Sequence, residues 1–253
     1  MKLQGKSIVV TGASSGMGKA IVELFVKEGA NVVAVARRQE RLEALEDAFA
    51  GEAGKIVAFT GDVSKQADSE SMIDIAVERF GKLDVLVNNA GVMDDMSPIG
   101  ELTNETLERI YGINVFGPFY SMRKAVNVFL AQGGGGNIIN IASMGYIKTV
   151  AGPAYCSSKA AIVSLTRNTA FMYMPQRIRC NAIAPGGIST EISASMGIPS
   201  KAGYERVKAG LAAAPKELGK AEDIAMAALF LASDDSAYIS GDVMCIDGGW
   251  NAV

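Results

Sequence analysis

Short runs of apolar residues alternate along the chain with longer segments in which apolar positions recur at helical spacing. The short runs are rich in β-branched residues and hold few polar ones, which is typical of parallel strands buried on both faces. They cover residues 6–12, 31–36, 55–61, 83–91, 137–143, 178–186 and 241–249. The longer segments that predict helices include residues 16–30, 64–81, 104–132 and 155–174. This alternation predicts an α/β fold, a doubly wound parallel sheet of seven strands with helices on both faces.

The composition points to one domain that spans residues 1–253. Hydrophobic residues make up 49% of the chain and charged residues 20%, which suffices for one large core. The net charge of −3 gives no electrostatic footprint for nucleic acid or an anionic membrane. The chain has no signal-peptide pattern and no membrane-spanning apolar run, so we expect a cytoplasmic protein.

The cysteines Cys156, Cys180 and Cys245 are odd in number and far apart. Their spacing is not that of metal ligands, and we expect no metal site. We interpret them as buried free thiols in a reducing cytosol, in preference to a redox role.

The segment between the first predicted strand and the first predicted helix reads TGASSGMGKA, with glycines at Gly12, Gly16 and Gly18. Glycines at such a turn let the backbone approach a pyrophosphate, whose charge then lies at the helix N-terminus. The pattern predicts a Rossmann-like dinucleotide site. An ordinary Gly/Ser turn before a helix is the alternative.

The end of the second predicted strand bears on the choice of cofactor. Folds that bind the 2′-hydroxyl form place Asp or Glu there, whereas this chain reads Ala36, Arg37, Arg38. An arginine would hold a 2′-phosphate by charge-assisted hydrogen bonds of about 1.5–3 kcal/mol each, or roughly a 10- to 150-fold preference. The pattern favours NADP, with NAD still possible; basic residues at a solvated helix start are the alternative interpretation.

The chain contains no histidine, the usual proton shuttle near pH 7. Tyr155 and Lys159 lie one turn apart on a predicted helix. Bringing a tyrosine pKa from about 10 to about 7 takes roughly 4 kcal/mol. A lysine cation about 4 Å away supplies roughly that amount at an effective dielectric of about 20, and an oxidised nicotinamide would add to it. The pair can therefore replace histidine; two surface side chains on an ordinary helix are the alternative.

Further polar residues stand out in the same half of the chain. Ser143 ends the fifth predicted strand, where it would hydrogen-bond a substrate oxygen beside Tyr155 or simply cap the strand end. Residues 88–91, NNAG, end the fourth strand and would border a nucleotide. Asn114 is polar inside an otherwise apolar helix, or else marks a helix irregularity. Asp62 ends the third strand.

These motifs together resemble the classical short-chain dehydrogenase/reductase family. The resemblance covers essentially the whole chain, from TGASSGMG (11–18) through NNAG, Ser143 and YCSSK (155–159) to NAIAPGGIST (181–190) and the terminal DGGW (247–250). It implies a single-domain oxidoreductase that interconverts a carbonyl and a secondary alcohol with NAD or NADP. It also implies a homotetramer.

The resemblance assigns a role to each catalytic candidate. Ser143 would orient the carbonyl or hydroxyl, and Tyr155 would be the acid/base. Lys159 would lower the pKa of that tyrosine and bind the nicotinamide ribose. Asn114 would position a water that extends the proton relay.

The resemblance also assigns the cofactor contacts. The family's basic residue after the second strand matches Arg37, while its other basic option, inside the glycine loop, is absent because position 15 is Ser. Asp62 would contact the adenine, although a helix cap remains equally open. The implied cofactor ligands are Gly12, Ser14, Ser15, Gly16, Met17, Gly18, Arg37, Arg38, Asp62, Val63, Asn89, Ala90, Gly91, Tyr155, Lys159, Pro185, Gly186, Ile188 and Thr190.

Substrate specificity is expected from the loops at residues 92–101, 144–154 and 192–211, which follow strand ends. Their methionine and aromatic side chains would form adaptable apolar walls. We therefore expect a fairly hydrophobic small-molecule substrate, alicyclic or steroid-like. The substrate contacts predicted are Met93, Ser143, Met144, Tyr146, Tyr155 and Met196.

Two other functions remain open at this point. A 3-oxoacyl-carrier reductase would share these motifs, but it docks an acidic carrier on arginines, and here only Arg177 is available. Asp94 and Asp95 near the predicted mouth would also repel an acidic carrier. A nucleotide-sensing regulator without catalysis is the remaining alternative; such proteins typically lose the tyrosine or lysine that this chain retains.

Overall fold

A computed structural model of the chain describes residues 1–252. Seven parallel strands form one sheet in the order β3-β2-β1-β4-β5-β6-β7, which confirms the predicted fold class. The strands are β1 (Ser7–Thr11), β2 (Asn31–Ala36), β3 (Lys55–Thr60), β4 (Val85–Asn88), β5 (Gly136–Ile141), β6 (Ile178–Pro185) and β7 (Val243–Ile246).

Helices cover both faces of this sheet. One apolar cluster joins the sheet to the first, second and last helices, and another joins it to the third, fifth and sixth. The helices are α1 (Gly16–Lys27), α2 (Gln39–Ala48), α3 (Gln66–Phe80), α4 (Asn104–Tyr111), α5 (Gly117–Gln132), α6 (Pro153–Met172), α7 (Lys201–Gly210) and α8 (Ala221–Ala232).

Strand β1 explains why the strand sequences are apolar without interruption. Ile8 and Val10 pack into the cluster on one face of the sheet, and Val9 packs into the cluster on the other. Successive side chains of a strand point to opposite faces, so a strand covered on both sides must be apolar at every position. The two clusters thus hold the sheet between two helical layers.

The predicted helix 104–132 is not one continuous α-helix. A π-helical turn, Gly112–Phe116, separates α4 from α5. Pro118, at the start of α5, has no N–H to donate to the carbonyl of Asn114 four residues earlier. The irregularity that the sequence left open at Asn114 is therefore real, and it lies at a candidate catalytic residue.

The prediction of buried thiols was right for one cysteine only. Cys180 is buried, whereas Cys156 and Cys245 are partly exposed, and all are free thiols. The difference is one of position: Cys180 is in the sheet core, while the other two lie near the ends of elements. Within residues 1–252 no helix is long and apolar enough to cross a membrane.

Candidate active site

A cleft of about 360 Å³ opens at the edge of the sheet where the strands end. It lies at β1 and β4, the neighbouring strands at which the chain order reverses, and ligands of open α/β sheets bind at such a point. We call it the cofactor cleft. The predicted cofactor ligands that line it are Gly12, Ser14, Ser15, Gly16, Met17, Arg37, Arg38, Asp62, Val63, Asn89, Ala90, Gly91 and Thr190.

The glycine loop forms a cradle that has no room for side chains. A Cβ on Gly12 would lie 2.7 Å from Nδ2 of Asn89, and one on Gly18 would overlap the Gly12 carbonyl. Gly12 and Gly16 also have positive φ angles, of 69° and 52°. Helix α1 begins at the end of this loop with no acidic residue in its first turn, so its positive N-terminus is available to an anion.

Asn89 supplies a second test of the fit. Its Nδ2 donates to the Thr11 carbonyl at 2.8 Å, which fixes the side chain against the glycine loop. Its Oδ1 is buried without a hydrogen-bond partner, and buried polar atoms of this kind call for a ligand or water. The residues at the cleft therefore fit a dinucleotide.

Some of the predicted cofactor ligands lie outside the cleft lining. Gly18 lies behind the loop, and Pro185 and Gly186 lie at the end of β6, where the Gly186 N–H donates to Ile246. Ile188 packs against the core and pairs with Gly219. Their predicted contacts with a cofactor stay predictions.

Arg38 and Arg41 converge on Glu191 at one end of the cleft. Arg38 donates to the Ser15 hydroxyl at 2.7 Å and to the Glu191 carboxylate at 3.0 Å. Arg41 donates to the same carboxylate at 2.9 Å. The hydrogen bonds from Arg38 and Arg41 hold the pKa of Glu191 below its usual range. The side-chain carboxylate of Glu191 therefore lies between two arginines beside the glycine loop.

Asp62 lines the cleft and does not cap helix α3. That helix begins at Gln66, whereas the Asp62 carboxylate accepts from the backbone N–H and hydroxyl of Ser64, at 3.0 and 2.7 Å. Burial raises its pKa, but the Ser64 hydrogen bonds and the nearby charges of Arg37 and Lys65 outweigh burial and lower it overall. The helix-cap alternative is thus wrong, and an ionised carboxylate lies beside Arg37.

Ser143, Tyr155 and Lys159 meet at the ends of β5 and α6, as the sequence predicts. Ser143 and Tyr155 hydrogen-bond through their side chains, and the Lys159 ammonium lies 5.6 Å from the centre of the Tyr155 ring. Lys159 also donates to the Ile141 carbonyl at 2.9 Å. Ser143 also accepts from the Gly145 N–H at 3.0 Å, so its side chain caps the short 3-10 turn Met144–Tyr146 after β5 as well as bonding the tyrosine.

Burial dominates the acidity of this pair. It raises the pKa of Tyr155 to about 12, although the hydrogen bond with Ser143 acts in the opposite direction. It lowers the pKa of Lys159 to about 8. The expected lowering of the tyrosine pKa is therefore not found in the chain alone, because desolvation of the phenol outweighs the hydrogen bond with Ser143, and the charges of Cys156 and Asp94 raise the pKa further. Tyr155 keeps its proton at pH 7.

Asn114 is fixed by the loop that follows β4. Its side chain accepts from the Val92 N–H and donates to the Val92 carbonyl, both at 2.9 Å. It also donates to the Ser158 hydroxyl at 3.1 Å on α6. A Cβ on Gly91 would lie 3.4 Å from Nζ of Lys159 and 3.5 Å from Oδ1 of Asn114, so these two side chains border the same small space.

The predicted substrate residues differ in how far they are exposed. Met93 and Met196 are partly exposed beside the Glu191–Ser195 turn, and the Met93 N–H donates to the Ser195 hydroxyl at 2.9 Å. Met144 is fully buried in an apolar cluster with Trp250, against which Tyr146 packs. Met144 is therefore a core residue in this structure, and its contact with a substrate stays a prediction.

Sequence reasoning missed the roles of two residues that the structure makes prominent, Glu191 and Trp250, and misplaced a third, Asp94. Glu191 directly follows the predicted Thr190, but its pairing with the arginines joins parts of the chain about 150 residues apart. Trp250 lies in the DGGW motif and has only 7% of its surface exposed. Asp94 was expected at the mouth of the site and is instead completely buried.

Comparisons with known proteins agree with this geometry. Residues 12–251 match the model of a family described as enoyl-(acyl carrier protein) reductase. The chain is 44% identical to a 3beta-hydroxysteroid dehydrogenase 2 of Eggerthella lenta, over 99% of this chain and 96% of that protein.

Solved structures resemble the chain over its full length. A short-chain type dehydrogenase/reductase of Mycobacterium marinum superposes with a TM-score of 0.89 at 32% identity, covering 100% of this chain and 98% of that one. Levodione reductase superposes with a TM-score of 0.88 at 33% identity, covering 99% of both chains.

Proposed function

Since this chain belongs to the short-chain dehydrogenase/reductase family, whose members act on alcohols and carbonyls with a nicotinamide cofactor, we propose that it is an NADP-preferring enzyme for a bulky alicyclic substrate of the hydroxysteroid or ketosteroid class. The observation that carries the proposal is the meeting of Ser143, Tyr155 and Lys159 beside the cofactor cleft. The resemblance to a 3beta-hydroxysteroid dehydrogenase supports the substrate class.

Tyr155 serves as the proton donor in ketone reduction. Its pKa of about 12 keeps the phenol protonated at pH 7, and the alkoxide formed from a ketone is a far stronger base than a phenolate. A nicotinamide cofactor held in the cleft would supply the hydride for reduction and take it up in oxidation. In oxidation Tyr155 must first lose its proton, which the ammonium of Lys159 favours.

Ser143 and Asn114 support this proton transfer in different ways. Ser143 is 8% exposed and faces Tyr155, so its hydroxyl orients the substrate oxygen beside the phenol. The side chain of Asn114 fixes the backbone at Val92. Pro118 leaves the backbone carbonyl of Asn114 without an α-helical donor. We assign this carbonyl to the binding of the relay water.

The preference for NADP is supported by the positive end of the cleft. Arg37 is exposed beside it, and Arg38 and Arg41 already hold a carboxylate there. Position 36, where the 2′-hydroxyl form calls for an acid, is Ala36. Equilibrium titrations with NADPH and NADH, on the wild type and on Arg37→Ala and Arg38→Ala, test this. Tighter NADPH binding that falls toward the NADH value in either variant supports it; equal binding of both cofactors contradicts it.

The substrate class is tested by a panel of ketones followed at 340 nm with NADPH. The panel compares 3-ketosteroids and alicyclic diones with small hydrophilic ketones, and Tyr155→Phe provides the background rate. Faster turnover of the bulky apolar ketones is expected. A preference for the small hydrophilic ketones would overturn the substrate class, and no turnover of any ketone or alcohol would overturn the proposed reaction.

A second candidate substrate is a 3-oxoacyl group on an acidic carrier protein. The matching family is described as a reductase of acyl-carrier-protein substrates, and the chain is 34% identical to a 3-oxoacyl-[acyl-carrier-protein] reductase of Thermotoga maritima. Arg177, the arginine that the sequence offers in the regions where carrier reductases dock their partner, lies where β6 begins, at the opposite edge of the sheet from the cleft. Acetoacetyl-carrier protein and a 3-ketosteroid compared at equal concentration decide between them. Higher kcat/KM on the carrier substrate would replace the steroid proposal.

We also propose the homotetramer that the family resemblance implies. Support comes from large apolar side chains that the single chain leaves exposed. They are Phe116 in the π-helical turn, Phe119 and Leu130 on α5, Phe171 and Met172 on α6, Met174 just after α6, and Tyr238 after α8. Sedimentation of the protein would overturn the tetramer if it gave one species near the chain mass of 26.5 kDa.

A further inference from the structure

Asp94 is a buried carboxylate that the proposed reaction does not use. It lies in the loop after β4 and has no exposed surface. Among residues 1–252 no lysine or arginine forms an ion pair with it. A buried charge without a counter-ion is costly unless hydrogen bonds replace its hydration, so its partners indicate what it is for.

Those partners are backbone N–H groups at the start of the helix that carries the tyrosine. One carboxylate oxygen accepts from the Gly152 N–H and the other accepts from the N–H of Tyr155 itself, both at 2.8 Å. The Met96 N–H adds a longer bond of 3.3 Å. Gly152 is the N-cap of α6 and has no side chain to cap it. The Asp94 carboxylate, on a loop distant in sequence, therefore caps the positive N-terminus of α6.

The fit around the carboxylate is tight on both sides. A Cβ on Gly152 would lie 2.6 Å from an Asp94 oxygen, although the φ of Gly152, −75°, suits any residue. Glycine is thus required there by the carboxylate and not by the backbone. On the other side Met96 has a φ of +60°, a left-handed conformation that is rare for a long side chain. Such strain persists only where the surroundings enforce it.

The same loop also contacts the other catalytic candidates. Val92, two residues before Asp94, is bonded to Asn114 through both its N–H and its carbonyl. Asn114 in turn donates to Ser158, whose hydroxyl donates to the Tyr155 carbonyl at 2.7 Å. Hydrogen bonds thus reach the backbone of Tyr155 from the loop on its N–H side and from Ser158 on its carbonyl side.

We propose that Asp94 is a positioning residue for the acid/base step: its carboxylate holds the first turn of α6 so that Tyr155 and Lys159 stay aligned with Asn114. This inference rests on the proposed role of Tyr155. It adds a residue outside the serine, tyrosine, lysine and asparagine set to those on which the reaction depends.

The charge of Asp94 has a consequence that a neutral cap would not have. The charged or titratable groups that act on the Tyr155 phenol are Cys156 and Lys159 on its own helix and Asp94 from the loop. Burial chiefly raises the pKa of Tyr155, and the Asp94 carboxylate raises it further. Removing that charge should therefore move the deprotonation of Tyr155 to lower pH.

Asp94→Asn is the first variant, because it keeps the size of the side chain and removes the charge and one acceptor. For alcohol oxidation with NADP we expect kcat to fall about 10- to 100-fold, as small displacements of reacting groups do. We expect the Kd for NADPH to stay within about twofold, since its ligands are elsewhere. The rising limb of the kcat–pH profile should shift to lower pH.

Asp84→Asn is the matched control. Asp84 also accepts a backbone N–H, from Ser7 at 2.7 Å, but it lies where the strands begin, at the far edge of the sheet. The Asp84→Asn variant should be less stable than the wild type, with no change in kcat or in the pH profile. A purely structural role for Asp94 would give Asp94→Asn the same behaviour as this control, and would overturn the proposal.

Gly152→Ala tests the geometry while leaving the charge in place, and it serves if Asp94→Asn does not fold. Its methyl group would displace the carboxylate from the helix end, so kcat should fall while the pH limb stays at the wild-type position. A wild-type kcat in Gly152→Ala overturns the proposal.

Tyr155→Phe distinguishes a failure of the proposed function from a failure of the role of Asp94. If Tyr155→Phe retains wild-type activity, the proposed function fails. If Tyr155→Phe is inactive while Asp94→Asn has wild-type kcat and pH profile, only the role of Asp94 fails.

Discussion

Glu191 accepts a hydrogen bond of 3.0 Å from Arg38 across the mouth of the cofactor cleft. Arg41 donates to the same carboxylate from the first turn of α2, of which Arg38 is the N-cap. A carboxylate held between two guanidinium groups beside Ser14 and Ser15 has the charge and the surroundings that a 2′-phosphate requires. Glu191 and the phosphate would therefore compete for the same arginines.

Replacing Glu191 with glutamine should consequently strengthen the binding of NADPH. The ion pairs are exposed and therefore weak, so we expect a Kd lower by roughly 2- to 10-fold. Binding of NADH should not change, because it has no phosphate at this position. Isothermal titration of both cofactors measures the effect.

Glu23→Gln is the control for that titration. Glu23 pairs with Lys19 on α1, so the same charge is removed near the cleft but away from Arg38 and Arg41. Equal tightening of NADPH in both variants would indicate a general effect of net charge and would contradict the competition at Glu191.

Tyr155→Phe should reduce kcat by about 10²–10⁴-fold, the usual contribution of a general acid or base. The variant removes one hydroxyl from a buried ring, so the fold and the Kd for NADPH should change little. Tyr120→Phe, on the partly exposed face of α5, should keep the wild-type rate. Retention of more than a tenth of the activity in Tyr155→Phe would contradict the assignment of the proton donor.

Lys159 should cost stability at neutral pH. Burial lowers its pKa from 10.5 to about 8, so between those pH values the unfolded chain binds a proton that the folded chain does not. The contribution of this group to stability therefore rises with pH across that window, and the penalty below it is about 3 kcal/mol. It is the stability given up to keep a cation beside Tyr155.

Lys159→Met should accordingly unfold at higher urea concentration than the wild type at pH 7. Loss of the bond to the Ile141 carbonyl offsets about 1 kcal/mol, which leaves a net gain of about 2 kcal/mol that vanishes by pH 10. Lys124→Met, which removes a surface lysine paired with Asp74, should show no such dependence. A Lys159→Met variant that is less stable than the wild type at pH 7 would contradict the burial penalty.

Gly18→Ala should damage the glycine loop by steric overlap alone. The φ of Gly18 is not positive, but an added Cβ would overlap the Gly12 carbonyl and Nδ2 of Asn89. We expect a loss of about 1–3 kcal/mol in unfolding free energy and at least a tenfold weaker NADPH complex. Gly51→Ala, where nothing lies within 4 Å, is the control. An unchanged Kd in Gly18→Ala would show that the loop adapts.

The fold and much of the site could be predicted because their signals are local. The strand pattern is a property of consecutive residues, and β1 shows why, since Ile8, Val9 and Val10 are all buried. Tyr155 and Lys159 face one another because the residues between them form one turn of α6. The single domain over residues 1–253 and the catalytic roles stay predictions.

What could not be predicted depends on distances between remote segments. Glu191 meets Arg38, and Asp94 meets Tyr155, only because the ends of parallel strands come together at one edge of the sheet. Whether Asp94 is exposed at a mouth or buried at a helix end cannot be read from its neighbours in the chain. The rise of the Tyr155 pKa in the chain alone could likewise not be predicted, because burial depends on the whole packing of the site.

The π-helical turn Gly112–Phe116 has a consequence for how this chain tolerates change. It places an extra residue in an otherwise helical stretch, and deleting one residue there would let α4 and α5 join as one α-helix. Every side chain on α4 would then turn by about 100° relative to α5. Arg109, which now donates to the carbonyls of Met93 and Ser195, would point elsewhere. The stretch from residue 104 to 132 should therefore tolerate no change of length.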